Sequence, residues 1–309
     1  MVRASLAVLL WLLVGSLLYA HLEPIRETQP NDTPKTATPL TTTTNCFALL
    51  GAISPAGDLD YYSFTAPPGA RVWALVDTSA STASKDSILT LFGPDGTAQI
   101  EQDDNDGVGT NCDMTVETKQ SSTIAGRALT AGGIHFLRVQ GSNATSLITL
   151  YKLFVVVTSS ATAEVEPNNG IATATPIVTS SSPIGVRSGS IAGAGDSDYY
   201  SVETTTVGAL LHVGIDADPE HRGGTGVGVD LIQSDGRVLL SLDGGENVGS
   251  PPPPALSFCF ILNNTGTHFV RVRGSESSRN PKGAYRMLVA ACGVHPKTRA
   301  VAQHVLPSR

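Results

Sequence analysis

Charged and aromatic side chains are both scarce in this sequence of 309 residues. Asp, Glu, Lys and Arg together make up 15%, against roughly 25% in an average soluble protein. The net charge of -7 offers no general attraction for phosphate groups, which argues against a nucleic-acid-binding protein. Aromatic residues contribute only 6%, so uncharged polar residues, chiefly Thr, Ser and Gly, must cover most of the surface.

Sequence motifs of the common catalytic sites are absent as well. The chain has no His-Glu-x-x-His zinc motif, no Gly-x-Ser-x-Gly elbow and no Walker loop, and its seven histidines are dispersed. Asp58 and Asp60 are neighbours in one loop, whereas the two carboxylates of a glycosidase flank the sugar ring. We therefore expect a non-catalytic protein, and a divergent secreted hydrolase stays open as an alternative.

The first twenty residues indicate export. Arg3 precedes an apolar run from Leu6 to Leu18, which ends at Ala20. This pattern predicts a signal peptide over residues 1–20. Leu18 stands where a small residue is usual, and the run approaches the length of a membrane span, so an uncleaved anchor is the alternative. Both interpretations place the rest of the chain outside the cytoplasm, secreted or at the cell surface, with membrane contact only if the segment is uncleaved.

The rest of the chain is a tandem repeat. Six short sequence words recur in the same order with small changes of spacing, which fall where loops accept insertions. The matched words are Glu27–Asp32 with Glu164–Asn169, Thr36–Leu40 with Thr173–Ile177, Gly57–Ser63 with Gly195–Ser201, Leu89–Phe92 with Val229–Ile232, His135–Gly141 with His268–Gly274, and Tyr151–Val155 with Tyr285–Val289.

Each copy has the pattern of a β-sandwich. Apolar residues alternate with polar ones, and turn sequences such as Pro94-Asp-Gly and Ser234-Asp-Gly separate the short runs. The prediction is an all-β chain of two tandem antiparallel β-sandwich domains, jelly-roll-like, with seven or eight strands each. The predicted domains are residues 24–156 and 164–292, with a linker at 157–163 and a flexible tail at 293–309.

These words resemble the bacterial pre-peptidase C-terminal (PPC) domain family, which includes the calcium-dependent collagen-binding modules of clostridial collagenases. The resemblance rests on the opening Glu-x-Glu-Pro-Asn-Asn of Glu164–Asn169, on Gly-Asp-x-Asp-Tyr-Tyr, and on the closing Tyr strand. It implies β-sandwich modules that accompany secreted hydrolases and bind extracellular polymers. The first copy departs from the pattern at Gln29, where the family prefers Glu.

The resemblance also implies a calcium site at the opening motif and the Asp-x-Asp loop. Carboxylate and amide oxygens are the ligands that calcium prefers. The candidate ligands are Glu164, Glu166, Asn168, Asn169, Asp196 and Asp198 in the second copy, and Glu27, Asn31, Asp32, Asp58 and Asp60 in the first. The alternative is structural: Asx turns at Pro-Asn-Asp and Pro-Asn-Asn, and a solvated loop at the aspartates.

The four cysteines divide two to a copy, Cys46 and Cys112 in the first and Cys259 and Cys292 in the second. In an exported chain an even count permits disulfides. Domain modularity favours a Cys46–Cys112 and a Cys259–Cys292 bridge, with buried free thiols as the alternative.

The sequence therefore predicts an exported, non-catalytic binding or accessory protein, stabilised by calcium. Its expected partner is an extracellular protein or polysaccharide, or a secreted hydrolase such as a protease that it assists. The few aromatic residues weaken the case for collagen as the ligand. A structural or adhesion component of the cell envelope and a divergent secreted hydrolase are the alternatives.

Overall fold

The computed structural model describes residues 25–40, 46–104, 107–110, 117–159, 161–193, 195–217, 226–243, 255–275 and 282–294. Within these residues the chain is all-β, as the sequence predicts, apart from a short 3-10 helix at Ile171–Thr173. No helix in the described ranges is long and apolar enough to cross a membrane. The predicted signal peptide lies outside them, as do residues 295–309 of the predicted tail.

The described part of the first copy contains twelve strands. They are β1 (Ile25–Arg26), β2 (Thr38–Pro39), β3 (Cys46–Ile53), β4 (Leu59–Ala66), β5 (Arg71–Asp77), β6 (Ser87–Phe92), β7 (Gln99–Asp104), β8 (Gly107–Thr110), β9 (Glu117–Ser121), β10 (Thr123–Ala128), β11 (Gly133–Gly141) and β12 (Ile148–Thr158).

Among the residues that the structure describes in the second copy, ten strands are found. They are β13 (Thr162–Ala163), β14 (Thr175–Val178), β15 (Ile184–Ile191), β16 (Ser197–Thr204), β17 (Ala209–Asp216), β18 (Val227–Gln233), β19 (Val238–Asp243), β20 (Ala255–Leu262), β21 (Gly266–Gly274) and β22 (Gly283–Val294).

Each copy folds into two five-stranded sheets with the same strand order. We call β1-β3-β12-β5-β10 and β13-β15-β22-β17-β20 the back sheets, and β2-β4-β11-β6-β7 and β14-β16-β21-β18-β19 the front sheets. The first copy adds a two-stranded hairpin of β8 and β9. The matching orders confirm the predicted pair of β-sandwiches.

One edge pairing in each five-stranded sheet is parallel, whereas the sequence predicts antiparallel sandwiches. The short strands β1, β2, β13 and β14 run parallel to their neighbours β3, β4, β15 and β16. The cause is the path of the entry segment, which adds one short strand to the back sheet and then one to the front sheet. These extra strands also explain why each copy has ten sheet strands instead of seven or eight.

The core of each copy lies between its two sheets. In β11 the buried side chains of His135, Leu137 and Val139 alternate with the partly exposed Phe136 and Arg138. This period of two is that of a strand with one face in the core. Burial of each such aliphatic side chain stabilises the fold by about 1.5–3 kcal/mol.

The back sheets of the two copies also pack against each other through their outer faces. Trp73 and Val156 of the first copy contact Leu288 and Ala290 of the second. The Thr123 hydroxyl of the first copy donates to Ser257 Oγ of the second at 2.7 Å. The molecule is therefore a stack of four layers in the order front, back, back, front.

This packing gives the central strands two buried faces. All eight residues of β17 are buried, because one face meets its own core and the other meets the first copy. The predicted linker at 157–163 is partly strand, since β12 continues to Thr158 and β13 begins at Thr162. The copies thus form a contiguous packed unit rather than two domains on a flexible tether.

Candidate functional site

Three of the acidic residues predicted as calcium ligands come together where the chain enters the second copy. Glu164, Glu166 and Asp198 each offer a carboxylate oxygen, and these oxygens lie within 4.8 Å of one another. The two glutamates follow β13 directly, whereas Asp198 belongs to β16 of the front sheet. We call these three carboxylates the acidic cluster. They concentrate negative charge at one point of a chain that carries little charge.

Glu164 ties the entry segment to both sheets of the second copy. The Ser190 backbone N–H, on β15 of the back sheet, donates to Glu164 Oε1 at 2.9 Å. The Tyr200 hydroxyl, on β16 of the front sheet, donates to Oε2 at 2.8 Å. These two hydrogen bonds hold the Glu164 carboxylate in place beside the other two members of the acidic cluster.

Asp198 is fully buried and depends on a tyrosine from the far end of the copy. The Tyr285 hydroxyl donates to Asp198 Oδ2 at 2.7 Å and also contacts the Tyr200 hydroxyl. Burial, and then the charge of Glu164, raise the pKa of Asp198 to about 8, against the lowering effect of the Tyr285 hydrogen bond. A cation beside the carboxylate would act in the opposite direction and favour its charged form.

The Asn168 side chain is fully buried and faces the acidic cluster. One terminal atom of its amide lies 3.1 Å from Glu166 Oε2 and 3.2 Å from Asp198 Oδ1. If this atom is the amide oxygen, it faces the two carboxylate oxygens without a hydrogen bond to either. If the amide is turned, the atom is the amide nitrogen, which donates to both carboxylates. The first orientation is that of oxygen ligands converging on a cation, and the second satisfies the carboxylates in its absence.

The remaining two candidates of the second copy contact each other. With its amide turned, Asn169 donates to Asp196 Oδ1 at 3.2 Å. Asp196 Oδ2 accepts a hydrogen bond from the backbone N–H of Ala192 at 2.6 Å. Asp196 therefore caps its own loop, as the structural alternative expected, while it lies beside the acidic cluster and contributes to the raised pKa of Asp198.

The first copy repeats the tyrosine arrangement of the second. The Tyr62 hydroxyl donates to Glu27 Oε2 at 3.1 Å, and the Tyr151 hydroxyl donates to Asp60 Oδ2 at 2.6 Å. The Ala52 backbone N–H donates to Glu27 Oε1 at 2.9 Å, as that of Ser190 does to Glu164. Burial raises the pKa of Asp60 to about 8, with smaller contributions from neighbouring carboxylates.

Gln29 replaces the third carboxylate in the first copy. Its amide nitrogen donates to Asp60 Oδ1 at 2.9 Å and approaches Asp58 Oδ2 at 3.4 Å. A hydrogen-bond donor built into the chain therefore occupies the position where the second copy has Glu166. The first copy satisfies its buried aspartate with its own residues.

The other candidates of the first copy serve local structure. Asp58 accepts backbone hydrogen bonds from Ser54 and Leu59 at 3.3 and 3.0 Å. The Asn31 amide is buried and its nitrogen contacts Thr38 Oγ1 at 3.5 Å. Asp32 is exposed, and its side chain makes no hydrogen bond with the described residues.

The four tyrosines of these sites were not predicted as site residues. Tyr62, Tyr151, Tyr200 and Tyr285 are all fully buried, and their hydroxyls meet in pairs beneath the acidic groups. The signal was present, because the Tyr-Tyr pair and the closing Tyr recur in both copies. Local sequence does not indicate that the Tyr151 and Tyr285 hydroxyls reach Asp60 and Asp198, since each tyrosine and its aspartate lie on different sheets.

The cysteine pairings stay predictions. Cys259 is fully buried and disulfide-bonded. Cys112 lies outside the described residues, and the structure describes Cys46 and Cys292 only by their places in β3 and β22. Cys259 packs with Leu75 and Phe154 of the first copy, so it lies at the interface between the copies.

Comparison with known proteins gives no family. No family model matches the chain, and no curated protein does. Among solved structures, the periplasmic g-type lysozyme inhibitors PliG of Aeromonas hydrophila and Salmonella Typhimurium share 14% and 18% identity, with TM-scores of 0.28 and 0.25. These matches cover 40% of this chain and 96% and 98% of theirs.

The CUB1-EGF-CUB2 region of human MASP-1/3 shares 10% identity with a TM-score of 0.22, over 79% of this chain and 99% of that one. At such TM-scores the likenesses carry no argument about function. The resemblance to PPC domains stays a prediction that rests on the sequence words. The function must be argued from the chain's own residues.

Proposed function

We propose that this chain is an exported, non-catalytic binding protein whose second copy is stabilised by a calcium ion. The observation that supports the calcium site is the convergence of oxygen atoms on one point of the second copy. Three carboxylates lie within 4.8 Å of one another, and the buried Asn168 amide faces two of them. Like charges so close repel one another unless a proton or a cation lies between them.

The residues fit a hard divalent cation. Glu164, Glu166, Asp198 and the amide oxygen of Asn168 would hold it, and the Tyr200 and Tyr285 hydroxyls already orient two of these ligands. All of the ligand atoms are oxygens, which suits calcium and suits zinc or copper poorly. The bound ion would supply positive charge at the edge where the entry segment joins both sheets. Its role is therefore structural.

The first copy provides an internal control for this proposal. In the first copy the Gln29 amide donates to the buried Asp60. At the equivalent position of the second copy, Glu166 lies beside Asp198. An amide donor in that position removes one negative charge and satisfies the aspartate at the same time. We infer that the first copy needs no cation and that the second does.

Thermal unfolding in calcium and in EGTA tests the proposal. Calcium at about 10 mM exceeds the dissociation constants of about 10⁻⁴–10⁻³ M found for extracellular sites. Binding at about 100 times the dissociation constant stabilises the folded state by about 2.7 kcal/mol, so the unfolding midpoint rises by several degrees. Magnesium serves as the control ion, because it requires a smaller octahedral site.

Two reciprocal variants assign the effect to the acidic cluster. Glu166→Gln gives the second copy the amide of the first, and we expect it to raise stability in EGTA and to abolish the calcium response. Gln29→Glu gives the first copy a third carboxylate, and we expect it to lower stability in EGTA and to add a second calcium response. An unfolding midpoint of the native protein that is the same in calcium and EGTA would refute the calcium site.

The binding role is supported by the arrangement of the layers. The back sheets bury each other, which leaves the outer faces of the two front sheets on opposite sides of the stack. We propose that these faces contact an extracellular protein. Sedimentation with insoluble collagen, chitin, cellulose and cell-wall fractions separates a protein ligand from a polysaccharide, and binding to a polysaccharide alone would contradict the proposal.

A further inference from the structure

A cavity of about 510 Å³ lies where the first copy meets the second, at the edge of the second copy's back sheet. We call it the junction cavity. Its walls come from the end of β12, from β13, from β14 and the turn after it, and from the first half of β15. Four of the lining residues, Ser159, Thr162, Pro176 and Ser182, are exposed, so the cavity is open to solvent. Its volume lies in the range of about 300–1,000 Å³ that is typical of ligand sites.

Arg187 on β15 is the charged residue of the junction cavity. The other described residues that line it are apolar or carry hydroxyl groups. The Arg187 guanidinium donates to backbone oxygens, from Nη2 to Pro176 and from Nη1 to Val186 at 3.4 Å. Within the described part of the chain no carboxylate lies within ion-pair distance of it. The charge of Arg187 is therefore not neutralised by an ion pair there.

The first copy has a leucine at the position of Arg187. Leu49 on β3 pairs in register with Leu153 of β12, and Arg187 pairs with Met287, the matching residue of β22. Leu49 is 1% exposed and belongs to the core of its copy. A charged side chain at such a position costs free energy unless it gains a partner. Because Arg187 has no carboxylate partner among the described residues, this exchange favours a partner that comes from outside the chain.

A second exchange removes a large side chain beside Arg187. Gly185 stands where the first copy has Phe47, two residues before Arg187 and Leu49 in the same register. Residues two apart on a strand share a face. A Cβ on Gly185 would overlap the Ile177 backbone oxygen, so the approach of β14 to β15 requires glycine here. The second copy therefore has a cation and a glycine where the sequence of the first copy has two large apolar residues.

We propose that the junction cavity binds a carboxylate at the end of a short apolar body, and that Arg187 holds the carboxylate. Arg187 Nε is buried, so the ligand contacts the terminal nitrogens, each of which has a second N–H besides the one that bonds to the backbone. Val157 and Ile184, both partly exposed, supply an apolar wall. The inference goes beyond the proposed function, because no member of the acidic cluster lines the cavity and Arg187 belongs to a back sheet.

Isothermal titration calorimetry with two acids tests the proposal. The probes are the peptide acetyl-Gly-Leu-Leu with a free C-terminal carboxylate, and octanoate, and we expect at least one of them to bind the native chain at a single site. The peptide amide and octanamide are the neutral controls, and we expect them to bind at least about tenfold more weakly, because they lack the charge that pairs with Arg187. Tighter binding of the peptide assigns the site to the C-terminus of a protein chain, and tighter binding of octanoate to a free aliphatic acid. Binding of neither acid, or equal binding of the acids and their amides, would overturn the proposal.

Three variants assign the binding to the junction cavity. Arg187→Leu gives the second copy the leucine of the first, and we expect affinity for the acids to fall by about tenfold or more. Thr162→Trp fills the exposed rim of the cavity and keeps Arg187, and we expect a similar loss. Arg237→Gln removes an exposed arginine at the turn between β18 and β19 of the same copy, and it should leave binding unchanged. Unfolding curves show whether each variant is folded, and unchanged binding by folded Arg187→Leu or Thr162→Trp would overturn the proposal. These variants keep all the calcium ligands, so the calcium response is measured independently and the two proposals fail separately.

Discussion

Each buried aspartate of the entry sites depends on one tyrosine hydroxyl. Tyr285→Phe removes the donor to Asp198 and leaves a buried carboxylate with one hydrogen bond fewer. We expect it to lower the free energy of unfolding by about 1–3 kcal/mol, measured by urea denaturation in EGTA. Tyr151→Phe should have a similar effect in the first copy, because the Tyr151–Asp60 distance of 2.6 Å is nearly the same.

Tyr199→Phe is the control for these tyrosine variants. The Tyr199 hydroxyl lies on the outer front face, and its one hydrogen-bond partner among the described residues is the partly exposed Arg271, at 3.3 Å. Its loss should change stability by no more than about 0.5 kcal/mol. An equal loss in all three variants would show that the hydroxyls near the aspartates have no special role.

At the residue scale the sequence words located the acidic cluster but not its burial. The resemblance to PPC domains groups Glu164, Glu166 and Asp198 as candidate calcium ligands, and the structure brings these three carboxylates together. The structural alternative places Asp60 and Asp198 in a solvated loop, whereas both are fully buried on strands. Their hydrogen-bond partners lie on the last strand of each copy, and local sequence does not encode a contact over such a separation.

At the scale of elements the strand pattern predicted the sandwiches well and the contact between them not at all. Alternation of buried and exposed residues indicates a strand with one buried face, and β11 and β16 of the front sheets show it. The run Leu153–Val157 is continuously apolar, and Ala209–Val213 is apolar except for His212, which is typical of strands buried on both faces. That signal was present, but it does not say which surface covers the second face.

The disulfide pairing is a prediction at the same scale. Domain modularity favours Cys46–Cys112 and Cys259–Cys292 bridges within the copies. Cys259 packs with Leu75 and Phe154 of the first copy, so it lies in the interface between the copies. This position favours bridges that join the copies, and we expect them in place of the modular pairs.

Peptide mapping under non-reducing conditions distinguishes these bridges from the modular pairs. Mass spectrometry should find peptides of the first copy linked to peptides of the second, and reduction should separate them. Recovery of Cys46–Cys112 and Cys259–Cys292 peptides would instead support the pairing that domain modularity favours. In that case the copies would be joined by packing alone.

At the scale of the whole molecule, the interface determines how the stack responds to pH. His212 on β17 is fully buried, and its ring lies 5.9 Å from the Phe154 ring of the first copy. Its register neighbours, Cys259 and Ala290, carry no charge, and neither ring nitrogen has a hydrogen-bond partner among the described residues. Burial lowers the pKa of His212 from 6.5 to about 4.

The sign of the effect follows from this depressed pKa. Below pH 6.5 His212 is protonated in the unfolded chain, whereas in the folded chain it stays neutral down to about pH 4. The stability of the folded state with neutral His212 is therefore fully present above pH 6.5. It decreases as the pH falls towards 4, by about 3 kcal/mol in total. His212→Leu keeps a side chain of similar volume and removes the titration, so it should retain more stability at pH 4.5 than the native chain does, relative to pH 7.5.

Trp73 makes the measurement specific to the interface. It is buried between the copies, where its ring approaches Gly214 of the second copy, and the other tryptophan of the chain is Trp11 in the predicted signal peptide. Tryptophan fluorescence of the mature chain during urea unfolding therefore reports separation of the back sheets. If the native chain and His212→Leu lose the same stability between pH 7.5 and 4.5, protonation of His212 does not limit the interface, and the carboxylates of the entry sites would have to account for the acid sensitivity.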